Sequence, residues 1–126
     1  MPAQPYEDFL ALLAESDVVL DPWHFGGGNS SYEALAMGTP IVTLPGRFLR
    51  GRITLALYRK MALADMVTNT PEEYIATAVR LGTDRTFQQQ VRSEIAKTRH
   101  VLFEDREELR GLEQFLESLL NSSRLL

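Results

Sequence analysis

Three glycines followed by an amide and two hydroxyls stand directly before an apolar-periodic part of the chain. This run, GGGNSS, spans Gly26–Ser31. Glycine allows a backbone to approach a ligand closely, and Asn and Ser side chains add hydrogen-bond donors. At the start of a helix, unpaired N–H groups and the helix dipole favour phosphate and other anions. The residues Gly27, Gly28, Asn29, Ser30 and Ser31 therefore indicate a cradle for a pyrophosphate group.

The same residues also fit a helix cap that needs no ligand. Ser30 and Glu33 have the S-x-x-E spacing of a capping box, which contributes roughly 1 kcal/mol to a helix. Glu33 is alternatively an acceptor for the two hydroxyls of a ribose whose phosphates lie at the helix start. The spacing differs from G-x-G-x-x-G and from the P-loop motif, which disfavours both of those classes. The residues alone leave the cap and the anion site open.

Arginines cluster shortly after this run, at Arg47, Arg50 and Arg52. A guanidinium is permanently charged and binds phosphate oxygens in a bidentate manner. These side chains, Arg52 above all, are candidates for contacting a diphosphate. The alternative is a solvated helix start or an ion pair with Asp21.

Several residues beside the glycines have simpler explanations than chemistry. His24 is a candidate general base, but a bystander is favoured. Asp21 ends the first strand near the site, and a turn-forming Asp-Pro pair explains it equally well. Trp23 and Phe25 are candidates for stacking on a base or sugar, but packing over the end of a sheet is favoured. No His, Asp or Glu grouping has metal-ligand spacing and the sequence lacks Asp-x-Asp, so neither a metal nor another cofactor is expected.

Helical and strand patterns alternate along the chain and must position these residues. The segment at 70–82 has the clearest helix boundaries: Thr70 and Glu73 have capping-box spacing, Pro71 takes the first position, and Gly82 is predicted to end the helix. The Leu-rich face of the last helix predicts packing in the core, with part of that face expected to be exposed in a fragment. The predicted strands are DVVLDP, TPIVTLPG and DMVTNT; the predicted helices are PYEDFLALLAES, SSYEALAMG, FLRGRITLALYRKMAL, TPEEYIATAVRLG, DRTFQQQVRSEIAKTR and DREELRGLEQFLESLL.

This alternation predicts an α/β fold, a Rossmann-like half-domain of about three parallel strands with flanking helices and a helical C-terminus. Residues 1–126 form one partial domain, with 121–126 as a frayed tail. Three strands leave the edge at Val18–Leu20 unprotected. We therefore expect a fragment of a larger domain, or a homodimer that covers this edge or the last helix.

Composition excludes several functional classes. The chain has 126 residues, 44% of them hydrophobic, and a formal net charge of −4, which argues against non-specific nucleic-acid binding. The absence of cysteine excludes disulfides and thiolate sites and favours a reducing compartment, so a cytoplasmic location is expected. Neither a secretory signal nor a membrane-spanning run is present in the sequence, so no membrane partner is expected.

The run DVVLDPWHFGGGNSSYEALAMGTPIVTLPG, followed by RGRITLALYRKMAL, resembles a known family. It is similar to the C-terminal nucleotide-sugar-binding half of GT-B glycosyltransferases, in particular O-linked N-acetylglucosamine transferases and their bacterial relatives with tetratricopeptide repeats. The resemblance implies a fragment of a GT-B C-terminal domain in an inverting, metal-independent enzyme. The donor would be a UDP-sugar, carrying N-acetylglucosamine or a hexose, and the acceptor a protein or glycan.

The family's diphosphate-binding segment, matched backwards from the shared Gly-Thr-Pro, falls on Gly28, Asn29, Ser30 and Ser31. Its acidic ribose-binding position falls on Glu33. This chain has Gly, Asn and Ser where the animal pattern has His-Thr-Thr, and Glu where that pattern has Asp. The resemblance also includes an arginine at Arg52.

The resemblance places the repeats, the acceptor-side domain with its proposed catalytic histidine and the first strands of the nucleotide half upstream of this sequence. No catalytic residue is therefore assigned, and the chain alone is expected to be inactive. One alternative is a UDP-N-acetylglucosamine 2-epimerase-like domain, although NSSYEAL has only one of the adjacent acidic residues that it favours. Another alternative is a non-catalytic interaction module.

Overall fold

The computed structural model describes residues 5–123, with side chains described as far as Asn121. Six α-helices and two short strands make up this part of the chain, with 3₁₀ turns at Leu49–Gly51 and Arg99–Leu102. In chain order they are α1 (Tyr6–Glu15), β1 (Val19–Leu20), α2 (Asn29–Ala36), β2 (Ile41–Val42), α3 (Ile53–Lys60), α4 (Pro71–Thr83), α5 (Arg85–Thr98) and α6 (Arg106–Ser123).

The strands are parallel, as the alternation of elements predicts. Val19 pairs with Ile41 and Leu20 with Val42. The third predicted strand contributes a single parallel bridge between Thr43 and Val67. It stays this short because a turn at residues 65–66 precedes it and α4 begins at Pro71. The predicted half-domain is confirmed, with the strands in the order β1, β2 and the segment at Val67.

The core lies between this small sheet and the helices packed against it. Leu35, Ile41, Leu81 and Ile95 are fully buried. Tyr58 is buried with these residues. Its hydroxyl donates to the Ile41 carbonyl at 2.9 Å and accepts from the Ile41 N–H at 2.8 Å. A buried polar group that is fully paired avoids the penalty of desolvation. Burial also raises the pKa of Tyr58, so the phenol stays neutral.

Local signals set the boundaries of α4, with one correction. The Thr70 hydroxyl accepts from the Glu73 N–H at 3.2 Å, and Pro71 takes the first helical position. The Glu73 carboxylate accepts from the Asn69 N–H at 2.8 Å, so the predicted box is completed one residue earlier. The prediction that Gly82 ends the helix is wrong, because the extended backbone of Asp84 ends α4 while its carboxylate caps α5.

The segment from Phe48 to Leu63 is not the single helix that its pattern predicts. The 3₁₀ turn and the non-helical Arg52 (φ −132°, ψ 4°) separate it from α3. Gly51 packs closely under the preceding loop, where a Cβ would lie 3.3 Å from the Trp23 carbonyl oxygen. The Arg50 and Gly51 carbonyls accept from the Gly26 and Gly46 N–H groups at 2.8 and 3.1 Å, so they are bonded to neighbouring loops and not to a continuing helix.

The apolar face of α6 is exposed in the described structure, so its predicted core packing is wrong for this part of the chain. At the start of α6, Asp105 and Glu108 each lie 2.6 Å from the Lys60 ammonium, which fastens the helix to α3. Asn121–Ser123 of the predicted tail are helical, and residues 124–126 lie outside the described range. The exposed side chains are Leu109, Leu112, Phe115, Leu116, Leu119 and Leu120.

The side of β1 away from β2 is open, as predicted for Val18–Leu20. Within residues 5–123, β1 pairs only with β2, and Leu20 is 54% exposed. None of the described helices combines the length and apolar character needed to cross a bilayer.

Candidate functional site

The glycine-rich loop joins the carboxyl end of β1 to the start of α2. Asp21, only 4% exposed, holds the loop in place at this end of the sheet. Its Oδ1 accepts from the Gly27 N–H at 2.7 Å, and its Oδ2 accepts from the Thr43 hydroxyl at 2.7 Å. In open α/β sheets, ligands bind beyond the carboxyl ends of the strands. Asp21 therefore positions the candidate loop where such ligands bind.

Two of the three glycines are needed because other atoms occupy the space of a side chain. A Cβ on Gly26 would lie 2.8 Å from Asp21 Oδ1, and a Cβ on Gly27 would lie 2.2 Å from Ser31 Oγ. A Cβ on Gly28 would meet no atom within 4 Å. The first two glycines let the loop pack tightly against its supports, whereas Gly28 borders open space at the start of α2.

The first turn of α2 has no side-chain cap. The helix begins at Asn29 with Gly28 at the N-cap position, and no side chain of the described residues accepts a cap hydrogen bond there. The predicted Ser30–Glu33 capping box is therefore wrong. The helix starts two residues too early for it, since Gly28 rather than Ser30 is the N-cap, and Glu33 instead accepts from the Tyr6 hydroxyl at 3.0 Å. That bond raises the pKa of Tyr6.

The uncapped turn leaves backbone donors for another acceptor. The first N–H groups of an α-helix have no partner within the helix. Ser31 N–H is already used, since it donates to the Gly28 carbonyl at 3.0 Å, while Asn29 and Ser30 are exposed at the end of the helix. The positive end of the helix dipole coincides with these donors. This arrangement fits an anion-binding site better than it fits a helix cap that needs no ligand.

A second helix start lies beside the first. The Ser31 hydroxyl is buried at 3.0 Å from the Thr54 hydroxyl, which joins the first turn of α2 to that of α3. The Gly26 N–H donates to the Arg50 carbonyl at 2.8 Å, and the Arg50 Nε donates to the His24 carbonyl at 3.2 Å. The glycine-rich loop and the loop after β2 therefore form one connected edge.

Arg52 lies in this second loop, at the N-cap of α3. Its guanidinium donates to the Gly46 carbonyl at 2.9 Å and lines a cavity shared with Arg59, Thr68 and Asn69. Arg50 stacks 5.0 Å from the Phe48 ring, and Arg47 is exposed. The alternative of an ion pair between one of these arginines and Asp21 is not formed among the described residues.

The two aromatic residues of the loop, Trp23 and Phe25, differ in how they pack. Trp23 packs edge-to-face on Tyr74 with ring centres 5.7 Å apart, which confirms its predicted packing. The Tyr74 hydroxyl donates to the Asp21 carbonyl at 3.1 Å, and burial raises the pKa of Tyr74. Phe25 is 72% exposed, so its predicted packing over the sheet is wrong. Its backbone leaves the sheet with the glycine run, which carries the ring into solvent.

Asp21 is the residue of this edge whose importance the sequence analysis missed. Asp-Pro at a strand end fits a simple turn, and a turn assignment gives no indication of the contacts that the carboxylate makes. The available sign was an acidic residue ending one strand and Thr43 ending the next, since parallel strands bring their carboxyl ends together. Within the part of the chain that the structure describes, no cluster of three or more His, Asp or Glu residues has the geometry to hold a metal.

Comparison with known proteins connects this geometry to a family. Residues 5–110 match the family model described as Glycosyl transferase family 41. The chain belongs to glycosyl transferase family 41. The predicted resemblance to O-linked N-acetylglucosamine transferases is thereby confirmed.

Relatives in family 41 carry the match through most of the chain. It is 31% identical over 103 residues, 80% of its length, to the UDP-N-acetylglucosamine–peptide N-acetylglucosaminyltransferase of Caenorhabditis elegans, covering 9% of that protein. It is 30% identical over 81 residues, 64% of its length, to a UDP-glucose:protein N-beta-glucosyltransferase of Actinobacillus pleuropneumoniae, covering 13% of that protein.

A solved structure gives the same result for the fold. A mutant of the Thermobaculum terrenum O-GlcNAc transferase superimposes with a TM-score of 0.78 and 36% identity over 90% of this chain and 22% of the other. The small sheet and its helices thus correspond to a piece of the fold of that O-GlcNAc transferase. The chain spans less than a quarter of the length of each of these relatives.

Proposed function

We propose that the chain is the donor-binding part of a glycosyltransferase that moves a sugar from a UDP-sugar to a protein or glycan acceptor. The observation that carries this proposal is the uncapped first turn of α2, held by Asp21 at the carboxyl edge of the sheet. Membership of family 41 and relatives that are named for UDP-sugar donors support it. The transferred sugar is N-acetylglucosamine or a hexose.

The diphosphate of the donor lies at the start of α2 in this proposal. Gly27 and Gly28 let it approach the backbone, Asn29 and Ser30 donate N–H and side-chain hydrogen bonds, and Ser31 fixes the turn against α3 through Thr54. During transfer the bond between the sugar and the diphosphate breaks, and negative charge grows on the leaving oxygen. Preorganised donors and the positive helix end stabilise that charge.

Glu33 binds the ribose in this proposal. It lies more than one turn inside α2, beyond the phosphates, and one of its oxygens already accepts from the Tyr6 hydroxyl. Its other oxygen is available to a sugar hydroxyl. A carboxylate beside the phosphates would repel them, so the distance of Glu33 from the first turn suits a ribose contact.

Arg52 supplies a permanent positive charge to the same edge. We assign the compensation of diphosphate charge to Arg52 and the helix start, without a metal. The acceptor and a catalytic base would come from sequence outside this chain, because transfer requires the donor and acceptor to be held together. A cytoplasmic location and a homodimer through the β1 edge or α6 stay predictions, and sedimentation of the chain tests the dimer.

Calorimetric titration of UDP, UDP-N-acetylglucosamine and NAD tests the proposal. We expect UDP compounds to bind selectively, and Ser30→Ala/Glu33→Ala to weaken binding by about ten-fold or more, since each lost hydrogen bond costs roughly 1 kcal/mol. The control, Ser93→Ala/Glu113→Ala, makes the same chemical changes at exposed positions of α5 and α6. Tight NAD binding, or equal UDP affinity in both variants, contradicts the proposal.

A further inference from the structure

A polar cavity opens beside the candidate donor site, at the carboxyl ends of β2 and the segment at Val67. Its volume is about 260 Å³, which is room for several waters at roughly 30 Å³ each. Arg52, Arg59, Thr68 and Asn69 contribute its polar surface. Leu44, Pro45, Leu55 and Val67 complete the wall. The cavity therefore occupies an edge where α/β proteins bind ligands.

Two guanidiniums face this cavity with most of their donors unused. Arg52 is the N-cap residue of α3 and Arg59 lies in its last turn, and both side chains line the cavity. Each guanidinium carries five N–H donors. Arg52 uses one side of its group on the Gly46 carbonyl, and Arg59 forms no side-chain hydrogen bond or ion pair with any described residue.

The neighbouring lysine, by contrast, is paired. Lys60 adjoins Arg59 in sequence but points to α6, where two carboxylates neutralise it. No acidic residue lines the Arg52–Arg59 cavity within the described chain. The Glu73 carboxylate lies behind Asn69, where it accepts from the Asn69 N–H and side chain at 2.8 and 3.3 Å. Neither Arg52 nor Arg59 forms an ion pair with a carboxylate of the described residues.

Backbone and amide groups add to this positive character. The uncapped start of α3 follows Arg52 directly, which brings the positive end of a second helix dipole to the cavity. One N–H of the Asn69 side-chain amide donates to Glu73, and the other has no partner among the described residues. The Thr68 hydroxyl donates to the Thr43 carbonyl at 2.9 Å, which orients the floor of the cavity without adding a free donor.

We propose that the cavity between Arg52 and Arg59 is a binding site for a phosphate or carboxylate group. Two guanidiniums, an amide N–H and a helix start match the donor needs of a tetrahedral or planar oxyanion. The inference goes beyond the proposed function, since it rests on Arg59 and Asn69, which the donor proposal does not use, although both proposals use Arg52. Two sources fit this chemistry: the diphosphate of the donor itself, or an acidic group on a second molecule.

Titration of inorganic phosphate and pyrophosphate into the isotope-labelled chain tests the proposal by nuclear magnetic resonance. We expect saturable shifts of the Arg52 and Arg59 Nε–Hε resonances and of the Asn69 amide. Arg59→Gln weakens pyrophosphate binding by about ten-fold or more, since the charge-assisted hydrogen bonds of the guanidinium are lost. Arg110→Gln, an equal loss of charge at an exposed position of α6, binds as the wild type does.

The outcomes separate this inference from the donor proposal, because the probe is an inorganic anion and Arg59 is the altered residue. Equal affinity in Arg59→Gln and Arg110→Gln overturns the oxyanion site, as does a wild type that shows no saturable shift at Arg59 and Asn69. Repeating the titration with UDP present identifies the source. Displacement of phosphate by UDP assigns the cavity to the donor, and simultaneous binding assigns it to an acidic group of a second molecule.

Discussion

Replacement of Asp21 by alanine is expected to destabilise the fold and release the glycine-rich loop together. The carboxylate is 4% exposed and accepts two 2.7 Å hydrogen bonds, from the Gly27 N–H and the Thr43 hydroxyl. A hydrogen bond to a charged group contributes about 1.5–3 kcal/mol, and the two are not fully additive. We therefore expect Asp21→Ala to lower the free energy of unfolding by about 3–4 kcal/mol.

Urea unfolding followed by circular dichroism measures this change, with the slope m checked for two-state behaviour. Asp65→Ala, the same substitution at an exposed position, is expected to change stability by no more than about 0.5 kcal/mol. Thr43→Val tests the mechanism, since its effect should shrink when Asp21 is already absent. A loss below about 1 kcal/mol in Asp21→Ala, or full additivity with Thr43→Val, would refute the anchoring role.

Three further substitutions test other parts of the structure. Gly27→Ala is expected to cost about 1–3 kcal/mol by overpacking, against little for Gly28→Ala, and equal melting temperatures would contradict the close approach seen at Gly27. Tyr58→Phe leaves the buried N–H and carbonyl at β2 unpaired, so calorimetry should show a loss of about 1–3 kcal/mol. Lys60→Met is expected to speed hydrogen exchange at the start of α6. In the wild type, the hydrogen bond from Lys60 holds the pKa of Asp105 below its ordinary value. The attachment of α6 should therefore persist above the ordinary Asp pKa of about 3.9 and weaken as the pH falls below it, whereas pH-independent exchange protection would contradict this.

Features set by neighbouring residues were predicted from the sequence, and features set by distant contacts were not. Thr70 and Pro71 mark the start of α4 because capping depends on residues within one turn. The same spacing at Ser30 and Glu33 does not produce a capping box, because Tyr6, 27 residues away, donates a hydrogen bond to the Glu33 carboxylate. The role of Asp21 depends on Thr43, 22 residues along the chain.

The candidate site also has one part set by neighbouring residues and one part set by distant contacts. The glycine run and its helix start are continuous in sequence, so Gly27–Ser31 lie together as predicted. The Arg52–Arg59 cavity requires the end of a third strand segment at Thr68 and Asn69, which periodicity does not place beside α3. The apolar face of α6 shows a related limit: its pattern predicts an amphipathic helix correctly, but a pattern does not name the surface that the helix covers.

In the proposed function the start of α2 binds the diphosphate of a UDP-sugar, and the backbone amides there report on that binding directly. Titration of UDP and of uridine into the isotope-labelled chain compares ligands with and without the diphosphate. We predict saturable shifts of the Gly28, Asn29 and Ser30 amide resonances with UDP and none of comparable size with uridine. Equal shifts with both ligands, or UDP-induced shifts that leave these three amides unmoved, would contradict the claim.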